Sequence, residues 1–355
     1  MKKIVLLWIV LGITQVNGQY YNSALGLSGA ALQNSLHTII TTNHIQNTYN
    51  DLWSYYGSTD IKNGNQLWDI YSDGNTSYTF IYSTEQCSSS LSPTQEGNCY
   101  NREHTWPAYY FNDFYPMYAD LFHVMPTDGY VNNKRNNFPY GKVNTVNWQS
   151  ENGSKLGVGN TYTSYSSSNP NHYEFEPIDS FKGDVARNYF YMSTRYKGLD
   201  GSWYNWEMAN GANLTQDAIT LLLSWHHLDP VSQKEIDRNN AVFAIQQNRN
   251  PFIDYPIFAD CIWGNQDCTS LSTKNILDES VLRLFPNPAS DRLTISSGLG
   301  ITVKSIGLFD LCGRSIPVIY NEATKSIELS NLSKGLYIVV IETPDGVARR
   351  QVSKM

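Results

Sequence analysis

Near residue 270 the chain changes character, and no other feature limits its fold so much. Upstream lie long aromatic-rich segments with helical spacing; then comes a polar stretch, CTSLSTKNILDESV, and beyond it only short β-type runs. These are Leu293–Ile295, Ile301–Val303, Ile306–Phe309, Ile316–Ile319, Ile327–Leu329 and Leu336–Ile341. Turn residues separate them: Pro286-Asn287-Pro288, Gly313, Asn331, Gly335 and Asp345-Gly346. Short strands at this spacing predict a small all-β sandwich over 281–355, joined by a linker, 266–280, to a larger domain over 19–265.

The larger domain reads as α+β and mostly helical. Ser28–Asn43 puts Leu32, Leu36, Ile39 and Ile40 on one helical face, and Thr215–His226 groups Ile219, Leu222 and Leu223. Residues 184–196 predict a further helix. Asp229-Pro230 reads as the cap and first turn of another over 231–247, and 66–82 looks extended.

The chain begins MKKIVLLWIVLGITQVNGQYY. Its apolar run, Ile4 to Ile13, is too short to anchor in a bilayer, so 1–18 is read as an export signal ending near Gly18, with a short core helix as the alternative. No later stretch is apolar enough to insert in a membrane. With 13% aromatic and only 16% charged residues, the composition suits a secreted, well-packed chain. Five cysteines agree with export. Local disulfides 87–99 and 261–268 are one arrangement, but four cysteines allow three pairings, and Cys312 is left over as a small buried hydrophobe.

Chemistry concentrates in two stretches. NREHTWPAYYFN, 101–112, sets Glu103 beside His104 before a Trp-Pro. Sixteen residues past His104 begins DLFHVMPTDGYVNNKRNNFPYG, 120–141, where 120–125 reads as extended, Pro126 ends it, and Thr127 caps a short helix bearing Asn132 and Arg135. This pair of stretches resembles the endonuclease I family of secreted, non-specific nucleases. FEPIDSFKGDVARNYFYMSTRY and WHHLDPVSQKEIDRNNAVFAIQQNRNPFIDYP continue the likeness over most of 25–265.

The resemblance implies a ββα-metal motif in which His104 is the general base and Glu103 and Asn132 are the metal ligands. The chemistry fits: an imidazole can take a proton from water near neutral pH, and hard oxygens suit Mg²⁺, with Mn²⁺ or Ca²⁺ as alternatives. Some family members carry an arginine between the Glu-His pair and the Asn-bearing helix. Residues 105–131 hold no Lys or Arg, so Arg135, Arg102 or the metal alone must supply that charge. Arg135 has a second reading as a helix-end charge. His123 reads either as a support for the site or as a packed core histidine, and Arg187 as a phosphate contact or a buried structural arginine. Lys134 and Lys142 complete a candidate positive groove with Arg135 and Arg187, whereas His226-His227 lack an acidic partner at metal spacing and read as packed or surface residues. Over 20–270 there are 24 acids and 13 bases, a balance of −11, which predicts weak, salt-sensitive binding to nucleic acid.

The tail segments LRLFPNPASDRLTI, IGLFDLCGRSI and LSKGLYIVVIETPDGVARRQVSKM resemble the C-terminal sorting domain of type IX secretion; an accessory β-domain that binds substrate or cell wall is the alternative. The expectation is a monomeric, extracellular or cell-surface endonuclease. It would hydrolyse DNA, and RNA as well, with little sequence preference, and its tail would engage the type IX machinery. A phosphodiesterase for other diesters and a non-catalytic nucleic-acid-binding adhesin are the competing functions.

Overall fold

The computed structural model describes residues 20–74, 76–264, 266, 268, 282–297, 303–310, 315–343 and 346–355. The expected export signal, Cys312, most of the expected linker and the first two residues of the expected Ile301–Val303 strand lie outside them. The chain divides into two compact units between Asp267 and Cys268.

The first unit is mixed α/β rather than mostly helical. Its described helices are α1 (Gly29–Thr41), α2 (Leu52–Thr59), α3 (Gly129–Arg135), α4 (Asp179–Arg195), α5 (Gln216–Leu228), α6 (Gln233–Gln246) and two short ones, α7 (Pro251–Asp254) and α8 (Ile257–Trp263). Between them lie an antiparallel pair, β1 (Tyr100–His104) with β2 (Val124–Asp128), and a three-stranded antiparallel sheet of β3 (Val143–Gln149), β4 (Lys155–Gly159) and β5 (Tyr173–Glu176).

Helix α4 is the axis of the unit. Every residue from Phe181 to Arg195 is buried, with α1, α5 and α7 packed around it. Helix α1 brings Leu32, Leu36 and Ile40, the spacing its sequence predicts, and each burial contributes about 1.5–3 kcal/mol. A helix enclosed on all sides must neutralise its polar groups. Arg187 does so with a two-pronged ion pair to Glu235 (Nη2–Oε2 2.8 Å), and Nη1 also donates to the Asp229 carbonyl at 2.9 Å. Helix α6 starts later than expected: its cap is Ser232, in a reciprocal capping box with Glu235, and Asp229-Pro230 stays outside the helix.

Among the described residues of the second unit, eight strands form two antiparallel sheets. One has the order β6 (Leu282–Phe285), β7 (Arg292–Ser297), β11 (Ser326–Glu328), β10 (Ile319–Asn321); the other β9 (Ser315–Ile316), β8 (Ser305–Asp310), β12 (Gly335–Thr343), β13 (Gly346–Lys354). Alternate residues of both sheets, among them Leu293, Ile295, Ile327, Leu308, Val339 and Ile341, share one core. The expected Ile316–Ile319 run is split between β9 and β10.

Candidate active site

Strands β1 and β2 pair with Arg102 opposite Pro126, Glu103 opposite Met125 and His104 opposite Val124. Pro126 does not end the strand, contrary to the sequence expectation. Its carbonyl turns away from the ladder and accepts from Ile70 N at 3.1 Å. On an antiparallel strand its missing N–H would point the same way, so no ladder bond is lost. The strand therefore runs on to Asp128, which takes the place expected for Thr127 as the cap of α3. Its Oδ1 accepts from Tyr130 N (2.7 Å) and Val131 N (3.0 Å), and Oδ2 from Gly97 N (2.7 Å). Thr127 instead donates to Asp69 Oδ1 at 2.6 Å, and Asp69 Oδ2 accepts from Asp128 N at 2.8 Å.

Gly129, the first residue of α3, leaves no room for a side chain: a Cβ there would lie 2.7 Å from Cys87 Sγ and 2.8 Å from Pro93 Cβ. The Cys87–Cys99 disulfide is formed, and Cys261 and Cys268 are also disulfide-bonded. Asp128→Ala is expected to lower stability by about 1–2 kcal/mol through loss of the cap, read as a lower midpoint of urea unfolding.

Strand alternation sends Asn101 and Glu103 to one side and Arg102 and His104 to the other. Helix α3 lies over the first side. Asn132 Nδ2 donates to Asn101 Oδ1 at 2.7 Å, and one turn later Arg135 Nη1 meets Glu103 Oε1 at 3.0 Å. The structure thus brings the carboxylate and the amide, read from two separate stretches, to one strand face. Glu103 Oε1 also accepts from Tyr71 Oη at 2.5 Å, and the Tyr71 hydroxyl touches that of Tyr140. Burial pushes the Glu103 carboxyl up to about 7, while Arg135 and Tyr71 oppose the shift.

On the other side the His104 ring packs against Tyr118 (5.0 Å) and Tyr49 (5.6 Å), which themselves meet at 4.3 Å. Its Nε2 lies 3.1 Å from the Tyr118 carbonyl. A carbonyl can only accept, so Nε2 carries the proton and Nδ1 of the neutral ring keeps its lone pair. Burial holds the pKa of His104 down to about 3, with His123 and nearby arginines adding to the effect, so the ring is neutral at physiological pH.

Three acceptor atoms stay open. Among the described residues Glu103 Oε2, Asn132 Oδ1 and His104 Nδ1 receive no protein donor, while the other polar atom of each side chain is tethered. None of the three is a buried atom without a partner, so each keeps contact with solvent.

The cations expected at the site are placed differently. Arg135 is only 1% exposed; Nη1 donates to the His104 carbonyl (3.1 Å), Nη2 to that of Thr105 (2.7 Å), and the guanidinium sits 4.6 Å from the Tyr140 ring centre. It holds the strand end and does not face a phosphate. Arg187 is buried in α4 and has the structural role. With both removed, the expected positive groove loses two of its four members. Lys134 stands over Tyr130 and Trp148 at 5.0 and 5.9 Å. Arg102, half-buried, lies 3.5 Å over Tyr49 and 4.3 Å over Trp53, with Nη1 donating to the Tyr49 carbonyl at 2.6 Å.

His123 is wholly buried behind His104, 5.5 Å ring to ring, with Nε2 2.7 Å from the Met117 carbonyl. A contact with substrate is therefore closed to it. Sequence reasoning passed over Tyr71, Tyr140, Tyr49 and Tyr118, which hold the site from distant segments; nothing in the spacing of a tyrosine-rich chain marks them.

Burial also lowers the pKa of His123, to about 4 from 6.5. The native state binds fewer protons than the unfolded chain, so stability is full above pH 6.5, falls as pH drops from there, and levels off below about 4. The whole difference corresponds to about 3 kcal/mol. His123→Gln is expected to lose less stability than the parent between pH 7 and 4.5, by about 2–3 kcal/mol in urea unfolding; equal losses would contradict it.

The chain is similar to known proteins in both of its units. The family profile for Endonuclease I matches residues 28–257, and that for the secretion-system C-terminal sorting domain matches 283–354. An extracellular ribonuclease of Bacillus amyloliquefaciens is 33% identical over 253 residues, which cover 69% of this chain and 78% of that protein. An extracellular ribonuclease of Bacillus subtilis (strain 168) is 33% identical over 255 residues, with the same shares. Endonuclease-1 of Buchnera aphidicola subsp. Acyrthosiphon pisum is 26% identical over 140 residues, 38% of this chain and 44% of that protein.

Proposed function

The chain belongs to the endonuclease I family and is a secreted nuclease with a type IX sorting tail, and from that premise we propose that it hydrolyses RNA and DNA with His104 as general base beside a divalent cation held by Glu103 and Asn132. Three open acceptors on three tethered side chains carry this reading. Strands β1 and β2 with α3 are then the family's ββα-metal motif.

The donor set suits Mg²⁺, which prefers hard oxygens and keeps most of its water. Among the described residues no three His, Cys, Asp or Glu side chains come together as a richer metal site. Glu103 and Asn132 would hold the cation, which would supply positive charge to the phosphodiester oxygens. The protein's part is positioning and proton transfer. Arg135 and Tyr71 hold Glu103 by its other oxygen, and Asn101 holds the amide nitrogen of Asn132. His104 receives the proton of the attacking water at Nδ1 while the Tyr118 carbonyl fixes the ring. Contacts to phosphate carry no sequence information, hence the low specificity.

Purified protein with Mg²⁺ is expected to nick supercoiled plasmid and degrade RNA, to stop in excess EDTA, and to resume when Mg²⁺ is restored. Undiminished cleavage in EDTA would refute the metal assignment.

A further inference from the structure

The first unit is rich in aromatic side chains, most of them buried or half-buried. Among its described Phe, Tyr and Trp residues, four are largely exposed: Tyr109 at 54%, Phe114 at 52%, Tyr115 at 44% and Tyr204 at 49%. Three lie on the loop that follows His104-Thr105-Trp106-Pro107. The fourth sits on a segment tied to that loop: Tyr204 N donates to the Tyr110 carbonyl at 2.8 Å, and Asn112 Nδ2 to that of Ser202 at 2.6 Å. The rings of Tyr109 and Tyr204 meet at 5.4 Å. Single exposed apolar residues are ordinary; a cluster confined to one place is not.

The cluster leads into the site. Tyr115 Oη accepts from Tyr49 N at 3.1 Å, and its ring meets Tyr118 edge-on at 5.7 Å. Tyr118 and Tyr49 are the two rings packed against His104. A ladder of aromatic contacts thus runs from solvent to the proposed base. The same loop has no Lys or Arg and carries the exposed Asp113. It cannot grip a phosphate backbone by charge. A nucleobase face, by contrast, needs only a ring to stack on.

We propose that Tyr109, Phe114, Tyr115 and Tyr204 form a stacking platform for unpaired bases beside the scissile bond, so that this nuclease prefers single-stranded substrate. The inference rests on the reading of His104 as the base. In a duplex both faces of each base are already covered by its neighbours, and the platform has nothing to receive. An acidic unit that gains little from counterion release would draw much of its substrate affinity from these rings.

The test is steady-state kinetics in Mg²⁺ on three substrates of equal length: an intact single strand, the same strand in a duplex, and a single strand whose sugars carry no bases. KM for the intact single strand is expected at least tenfold below that for the base-free strand, with duplex also the poorer substrate. Phe114→Ala and the double variant Tyr109→Ala/Tyr204→Ala should each close most of that gap through KM and not kcat. Phe114→Tyr should restore it. Equal KM values for all three substrates in the parent overturn the platform and leave the nuclease reading standing. Cleavage of none of them overturns both. A dimer in sedimentation velocity that Phe114→Ala dissociates, with no single-strand preference, would reassign the rings to a self-interface and also overturn the proposal.

Discussion

His104→Ala is expected to lower the single-turnover rate of plasmid nicking by about 10²–10⁴-fold, the span typical for loss of a positioned general base. The ring does two things, and they separate by measurement. Structurally it packs against Tyr49 and Tyr118, and ring contacts of this kind contribute about 0.5–1.5 kcal/mol each. Losing them should move the unfolding midpoint by a few degrees and leave the protein folded at 25 °C. Chemically it holds a lone pair at Nδ1, open to solvent, with the proton confined to Nε2 by the Tyr118 carbonyl. Free imidazole, small enough to enter the vacated slot, should therefore restore part of the rate. A rescue that rises with imidazole pH, as the neutral form accumulates, identifies proton acceptance as the missing function. Unchanged nicking by a folded His104→Ala protein would remove the base from the mechanism.

The pattern of what the sequence discloses follows from which physical signals reach it. The break near 270 and the face of α1 are legible because half-buried elements alternate apolar and polar residues. Helix α4 is buried on all sides from Phe181 onward, so it has no stripe, and its charged first turn, Asp179 to Lys182, hid the start. Strand β3 escaped for the opposite reason: Asn144 to Asn147 are all exposed, so there is no alternation to read. The true start of α6 was signalled by Ser232 and Glu235 three apart, and the nearby Asp-Pro pair drew the boundary away from it. At the site, the Glu103, His104 and Asn132 assignments came from resemblance, and the coordinates add which of their atoms are tethered. The arginines could not be resolved from sequence, since an exposed and a buried guanidinium are the same letter. Only the fold shows that Arg135 faces the His104 and Thr105 carbonyls and that Arg187 faces Glu235.

Arg135→Met is expected to cost about 3–5 kcal/mol, the penalty for stripping one partner from a buried ion pair. The side chain joins helix α3 to the end of β1 through Glu103 Oε1 and the carbonyls of His104 and Thr105. Its removal leaves a buried carboxylate without a counter-charge and strips the His104 carbonyl of its side-chain donor, while the Thr105 carbonyl keeps Tyr189 Oη at 2.8 Å. Lysine is expected to recover little, because a single ammonium cannot reproduce a planar fork that reaches three acceptors. Adding Glu103→Gln should change the outcome in an informative way. With the buried charge gone, Arg135→Met/Glu103→Gln is expected to regain much of the lost stability in urea unfolding. Turnover should stay low, since an amide is a poorer cation ligand than a carboxylate. Stability and activity would then part company, as they must if Arg135 acts by holding Glu103 and not by touching substrate. An arginine that instead gripped phosphate would leave the unfolding midpoint of Arg135→Met where it was and raise KM alone, and that pair of results would return it to the substrate-binding surface.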